Sequence, residues 1–244
     1  MKQNNYYISR KQKLLTDFNK ASALIRNSIV SRYGEKFADM LIKEVRNEFI
    51  TLIPKIPFTG ISLTLRLFLI ISTQELSVYK VMKNHGKNVA ESWEICHEAL
   101  RLRMHSFSKF KKWLAKRLLF SPIIIWIAKK RIQRVAKSKI PGDFSFQFVE
   151  GDGENFEWGV DYTECAIYNF MRHQDAEEFA PYVCMSDIAL SDAMEWGLVR
   201  TETIADGCKK CDFRFKKGGI TQISSKTPEV QTTIERIALK EKLC

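Results

Sequence analysis

The chain changes its hydrophobic period once, at Pro141-Gly142, and that change limits what it can fold into. Before it, apolar residues recur at helical spacing. Leu14, Phe18, Ala21, Ile25 and Ile29 share one face, and Gly34 stands where that helix should stop. Phe37, Leu41, Val45, Phe49 and Leu52 mark a second helix that ends before Pro54 and Pro57. The run from Ile61 to Ile71 is apolar almost all round, with Arg66 its only charge. It is too short to cross a bilayer, so it predicts a buried helix, continued to His85 and capped by Gly86. Asn88 with Glu91 three residues on has the pattern of a capping box, ahead of a helix carrying Trp93, Cys96 and Leu100.

After the break the period is two. Phe144, Phe146 and Phe148 alternate with polar residues, as do Phe156, Trp158, Val160 and Tyr162, and a Gly-Asp-Gly turn joins the two runs. That is a hairpin signal. Helices are predicted from near Thr163 to His173, from Ser186 to a stop at Gly197, and from Thr227-Pro228 onward. Leu198 to Ala205 and Lys210 to Phe215 read as strands, with Cys211, Phe213 and Phe215 on one face. The expected fold class is α+β. A helical region (1–140) precedes a region (141–244) with a small antiparallel sheet and flanking helices, the two packed as one unit.

An apolar fraction of 45% in 244 residues is enough for a real core and excludes a disordered chain. Met1 to Lys13 is polar and charged, with no apolar stretch of the secretory kind, and six cysteines are too few and too unevenly spaced for a disulfide scaffold. The expectation is a cytoplasmic protein with reduced thiols. The net charge of +11 is uneven. Residues 101–139 hold many Lys and Arg and no acid, whereas acids outnumber bases from Asp143 to Asp212. The two halves could simply complement each other, or the basic one could be a solvated face. A nucleic acid is not the expected partner. An anionic membrane surface is kept open, because Lys111 to Arg134 interleaves Trp113, Trp126 and a short apolar run with cations. Pro122 after Ser121 divides that stretch into two helices, and a docking surface or core element explains it equally well.

The reactive side chains concentrate between Tyr162 and Phe215. Cys165 follows Glu164, Cys184 precedes Asp187 by three residues, and Cys208 and Cys211 form a Cys-x-x-Cys pair followed by Asp212. Thiolates and carboxylates bind metals, attack electrophilic carbon and move protons. If the Cys184 segment is helical, Asp187 faces the same way. One Cys-x-x-Cys is half of a zinc knuckle; with Cys165 and Cys184 a four-thiolate zinc site, or an iron–sulfur cluster on three of them, becomes arithmetically available. Reactive thiols and plain buried packing are the other two readings. Asp187, Asp212 and Glu164 are the candidate proton carriers. Arg200 and Arg214 are each candidates either to hold a substrate carboxylate with paired hydrogen bonds or to make a cross-strand ion pair. Of the four histidines, His173 at the end of the Cys165 helix is the best placed for chemistry, but all four suit structural or surface roles.

Glu164-Cys165, Cys184-x-x-Asp187, Arg200-Thr201 with Thr203, and Gly207-x-x-x-Cys211-Asp212-Phe213-Arg214, in that order over some fifty residues, resemble the L-2-amino-thiazoline-4-carboxylic acid hydrolase family. Before Asp143 the likeness rests on a Tyr33-Gly34-Glu35 step and an Ile-Pro segment near Pro57. Cys208 and the basic 101–139 stretch are not part of the pattern expected throughout that family. The resemblance implies a hydrolase that opens a cyclic isothiourea to N-carbamoyl-L-cysteine. Cys165 or Cys184 would attack, or ligate a metal that activates water; Asp187 or Asp212 would move the proton; Arg200 or Arg214 would grip the small carboxylated substrate, with Thr203 beside it. The alternative of another class is a module that senses a ligand, a metal or redox state, whose cysteines bind and do not catalyse.

Overall fold

The computed structural model describes residues 5–59, 63–135 and 143–242. Ile61, the Pro141-Gly142 step and the basic residues Lys137 and Lys139 lie outside them. Among the described residues seven α-helices come first: α1 (Asn5–Ile8), α2 (Lys11–Tyr33), α3 (Glu35–Leu52), α4 (Leu63–Asn84), α5 (Val89–His105), α6 (Lys109–Leu119) and α7 (Pro122–Val135). The strands β1 (Ser145–Glu150) and β2 (Trp158–Glu164) follow, then α8 (Ala166–His173), α9 (Ala180–Cys184), α10 (Ser186–Met194), β3 (Leu198–Arg200), β4 (Cys211–Phe215), β5 (Gln222–Ile223) and α11 (Pro228–Lys242).

Local chemistry explains most boundaries. Gly34 ends α2 at φ +83°. The Asn88 side chain accepts from the Glu91 amide while Glu91 accepts from the Asn88 amide, a complete capping box that starts α5. In the hairpin turn, the Asp152 carboxylate accepts from the amides of Glu154, Asn155 and Phe156, and this fixes the reversal between β1 and β2. The largest core draws on both halves of the chain: Phe18, Phe49, Leu69, Tyr79 and Trp93 from the helices, with Phe144, Phe170, Phe179 and Met185 from the second half.

The sheet runs β1-β2-β4-β3-β5. The first four strands pair antiparallel, as expected. The fifth is a departure: β5 adds parallel to β3, through Val199 and Arg200, so the sheet is mixed. Two residues carry no readable alternation, which is why β5 has no sequence signal. Three boundaries also shift. α10 ends at Met194, where Glu195 turns left-handed at φ +53°, short of the stop expected at Gly197. β2 continues to Glu164, paired with Ser145, so α8 begins only after Cys165. The strand expected over Leu198 to Ala205 stops at Arg200. There the Asp212 carboxylate accepts from the amides of Thr201 (2.9 Å) and Glu202 (2.6 Å) and from the Thr201 hydroxyl (2.8 Å), and it takes the place of a strand partner. Thr203 then caps a 3-10 turn, Ile204–Asp206.

The link from α10 into β3 needs a glycine. Gly197 sits at φ +56°, and a Cβ there would lie 2.1 Å from the Lys216 carbonyl oxygen. Gly197→Ala should therefore destabilise the protein by about 2–4 kcal/mol, read as a drop in the chemical-denaturation midpoint. A midpoint equal to wild type would show that the α10–β3 link tolerates a side chain.

Candidate active site

Strands β2, β3 and β4, helices α4, α9 and α10, and the residue that precedes α8 converge on one cavity of about 120 Å³. β2 supplies Tyr162, β3 supplies Arg200, and β4 supplies Cys211 and Phe213. Cys165 stands at the start of α8, Cys184 closes α9, and Ser186 and Asp187 open α10. α4 contributes Ser72 and Glu75 from the helical half. The space is well below the roughly 300–1,000 Å³ of a drug-sized site, so it suits a small molecule.

Arg200 is the centre of this arrangement. It is 1% exposed, and its Nη1 donates to Asp187 Oδ2 at 2.5 Å. Asp187 keeps 27% side-chain exposure, in keeping with its place on the cavity wall. The other amino group of Arg200 lies 3.8 Å from the Met185 sulfur, and the guanidinium carbon is 5.4 Å from the Phe213 ring centroid. Its Nε is buried with no hydrogen-bond partner among the described residues. A buried donor left in that state costs about 1–3 kcal/mol, and Arg200 is one of the residues that line the cavity.

The thiols are held in their neutral form. Burial raises Cys184 well above the usual thiol range, against the opposing pull of Arg200. Burial also raises Cys165, although the amides of Tyr168 and Ile167 pull the other way. Cys211 is pushed up to about 12 by burial, and its sulfur accepts from the Ile204 amide at 3.3 Å. Asp187 is raised by burial, with Arg200 opposing. Each of these groups feels the charge of several others, as expected of side chains gathered at one point.

Glu75 is the residue that the sequence did not reveal. It lies mid-helix in α4, far along the chain from the cysteine motifs, yet it is buried and lines the cavity. Its Oε1 accepts from the Ser186 hydroxyl at 2.8 Å, while Oε2 has no partner among the described residues. Desolvation raises its pKa to about 8, so at neutral pH it is a carboxylic acid. The only signal in the sequence was a lone acid on the apolar side of a helix, between Ser72 and Tyr79.

The other expected site residues stand apart from the cavity lining. Asp212 holds the Thr201–Glu202 backbone, as described above. Arg214 pairs with Asp161 at 2.8 Å, and Lys210 joins them at 2.6 Å. Thr203 is buried as the cap of the 3-10 turn and donates to Asp206 Oδ2 at 3.0 Å. Cys208 lies in the following turn near Lys226. Glu164 is the last residue of β2, and the His173 ring faces the Asn169 carbonyl at 2.6 Å at the far end of α8. Among the described residues, no group of three or more His, Cys, Asp or Glu side chains is placed to hold a metal ion. The four thiols Cys165, Cys184, Cys208 and Cys211 do not form such a group: Cys208 lies away from the cavity that the other three line.

The α+β chain thus gathers three thiols, two acids and a buried guanidinium around one small cavity. The family model of L-2-amino-thiazoline-4-carboxylic acid hydrolase matches residues 71–215, which contain every residue of that cavity except Leu65 and Phe68, and the chain belongs to this family. The match supports a hydrolase-type function. No curated protein and no solved structure gives a significant match.

Glu75 has a measurable signature. Its folded pKa lies above that of a free glutamate, so between about pH 5 and 8 the unfolded chain releases a proton that the folded protein keeps. Its stabilising contribution is complete at low pH and is lost as pH rises through this window. Glu75→Gln should flatten the fall of Tm between pH 5 and 8. An unchanged slope would mean that Glu75 is ionised in the folded protein.

Proposed function

We propose that the protein hydrolyses 2-amino-thiazoline-4-carboxylate, or a close cyclic isothiourea, to an N-carbamoyl-cysteine product. The observation that supports this is the gathering of Cys165, Cys184, Asp187 and Arg200 on one small cavity in a chain of this family. The match does not favour a sensing module.

The substrate carboxylate takes the free Nε–H of Arg200, which gives a buried donor its missing partner. Cys184 is assigned as nucleophile because it stands three residues before Asp187 on the same cavity, with the Arg200 charge opposing the burial that holds the thiol neutral. Its proton passes to Asp187, the carboxylate three residues along, whose raised pKa suits a base. The thiolate adds to the amidine carbon, the ring carbon–sulfur bond breaks, and the leaving ring sulfur takes the proton of Glu75. The product of this step is an isothiourea on Cys184. Water then adds to the same carbon and returns a proton to Glu75. The enzyme carbon–sulfur bond breaks, and the departing thiolate recovers its proton from Asp187. One water is consumed, and the carbon keeps both nitrogens. Cys165, whose thiol faces the same cavity, is the other thiol to be tested.

Ring opening followed by mass spectrometry of the carbamoyl product tests the assignment. Cys184→Ala should lower kcat at least about 1,000-fold, since it removes the covalent route. Arg200→Lys should weaken substrate binding and raise KM by about tenfold or more. Cys208→Ser should leave the rate unchanged. Full activity in both Cys184→Ala and Cys165→Ala, with wild-type circular dichroism, would overturn thiol attack.

The acid role of Glu75 adds a pH signature. Turnover should fall above about pH 8 as Glu75 loses its proton, and Glu75→Gln should abolish that limb together with about 100-fold of the rate. A Gln variant with the wild-type profile would remove Glu75 from the reaction.

A further inference from the structure

The helices α6 and α7 are apolar on two sides, and only one of those sides is covered. Inward, Leu119, Phe120, Ile125 and Ile132 pack on Trp158, Val160, Leu198 and Phe215 of the sheet. Outward, α6 presents Phe110, Trp113, Leu114 and Leu118, which share one face at helical spacing. α7 continues the patch with Ile123, Ile124 and Trp126, of which Ile123 is 70% and Trp126 60% exposed. No residue of α6 is fully buried. Seven large apolar side chains exposed on two successive helices exceed the scattered surface residues of an ordinary soluble face.

Cations surround this patch, and acids are absent from both helices. Lys109, Lys112 and Lys130 make no ion pair among the described residues. Arg117 lies over the Trp113 ring at 5.5 Å, so charge and aromatic stay together at the surface. Lys116 and Lys129 reach back to Glu195 and Glu150, which anchors the two helices to the body of the protein.

We infer that α6 and α7 dock on an anionic lipid surface, lying in its interface with the apolar face toward the acyl chains. Exposed Ile and Leu distinguish this occupant from a nucleic acid, which would take the cations and aromatics but has no place for the aliphatic side chains. Tryptophans at the border between apolar and charged residues suit the headgroup level. No helix among the described residues is long and apolar enough to span a bilayer, so the contact is peripheral.

Co-sedimentation of the full chain with vesicles tests this. Binding is expected to vesicles of phosphatidylcholine with phosphatidylglycerol, weakly or not at all to phosphatidylcholine alone, with a blue shift of tryptophan emission. Lys109→Gln, Lys112→Gln and Lys130→Gln together should weaken it roughly 100-fold, about fivefold for each cation near the surface. Ile123→Ser with Trp126→Ser should abolish the blue shift without lowering Tm, since both side chains are exposed. Three results would overturn the inference: no binding to anionic vesicles at low salt, binding that ignores the Ile123/Trp126 variant, or a dimer in light scattering that this variant dissociates.

Discussion

A guanidinium cannot sit in a protein interior unless its charge is answered, and in this chain Asp187 answers Arg200. Burying an unpaired ion costs several kcal/mol, and breaking one partner of a buried pair typically costs about 3–5 kcal/mol. Asp187 supplies the opposing charge from the first turn of α10, and β3 supplies the backbone that holds Arg200 between β4 and β5. Such a pair is weak grounds for stability, because an apolar pair of the same volume would do as well or better. Its persistence in a cavity wall fits a chemical role. The pair also draws the thiols into one electrostatic neighbourhood, where burial keeps them neutral and Arg200 opposes it.

The cavity joins two kinds of structure. The sheet and the short helices bring thiols, Asp187 and Arg200, each from a segment close to the next in sequence. The helical half brings one acid, Glu75, and the apolar residues Leu65, Phe68 and Ile71. A site divided in this way needs the two regions packed against each other, and the continuous core running from Phe18 and Trp93 to Phe179 and Met185 does that. Tyr79 of α4 stacks on Phe179 just ahead of α9, at 4.6 Å between ring centroids, which ties the helix that carries Glu75 to the segment that carries Cys184.

Much of this was legible in the residues. Period and punctuation located α2 to α5, the division at Pro122 and the β1–β2 hairpin, because each is set by local chemistry such as the Asn88 cap or the Asp152 turn. The motif order Cys, Cys-x-x-Asp, Arg-Thr, Cys-Asp-Phe-Arg picked out five residues that share the cavity, Cys165, Cys184, Asp187, Arg200 and Cys211. Asp212 and Arg214 carry the same functional groups as Asp187 and Arg200, but on a strand whose alternation turns them away from Cys211 and Phe213, to a backbone clamp and to Asp161. Residue type could not separate the two pairs; only the side of the strand does. Glu75 stayed hidden because its importance comes from desolvation by residues distant in sequence, and β5 because two residues have no period.

In the proposed reaction a small thiazoline carboxylate occupies this cavity, against Arg200 and the thiols of Cys165 and Cys184. Alkylation of the intact protein by iodoacetamide, mapped residue by residue in the presence and absence of 2-amino-thiazoline-4-carboxylate, tests it most directly. The compound should slow modification of Cys165 and Cys184 and leave Cys208 unaffected, and Arg200→Gln should remove the protection. Equal labelling of Cys165 and Cys184 with and without saturating compound would contradict it.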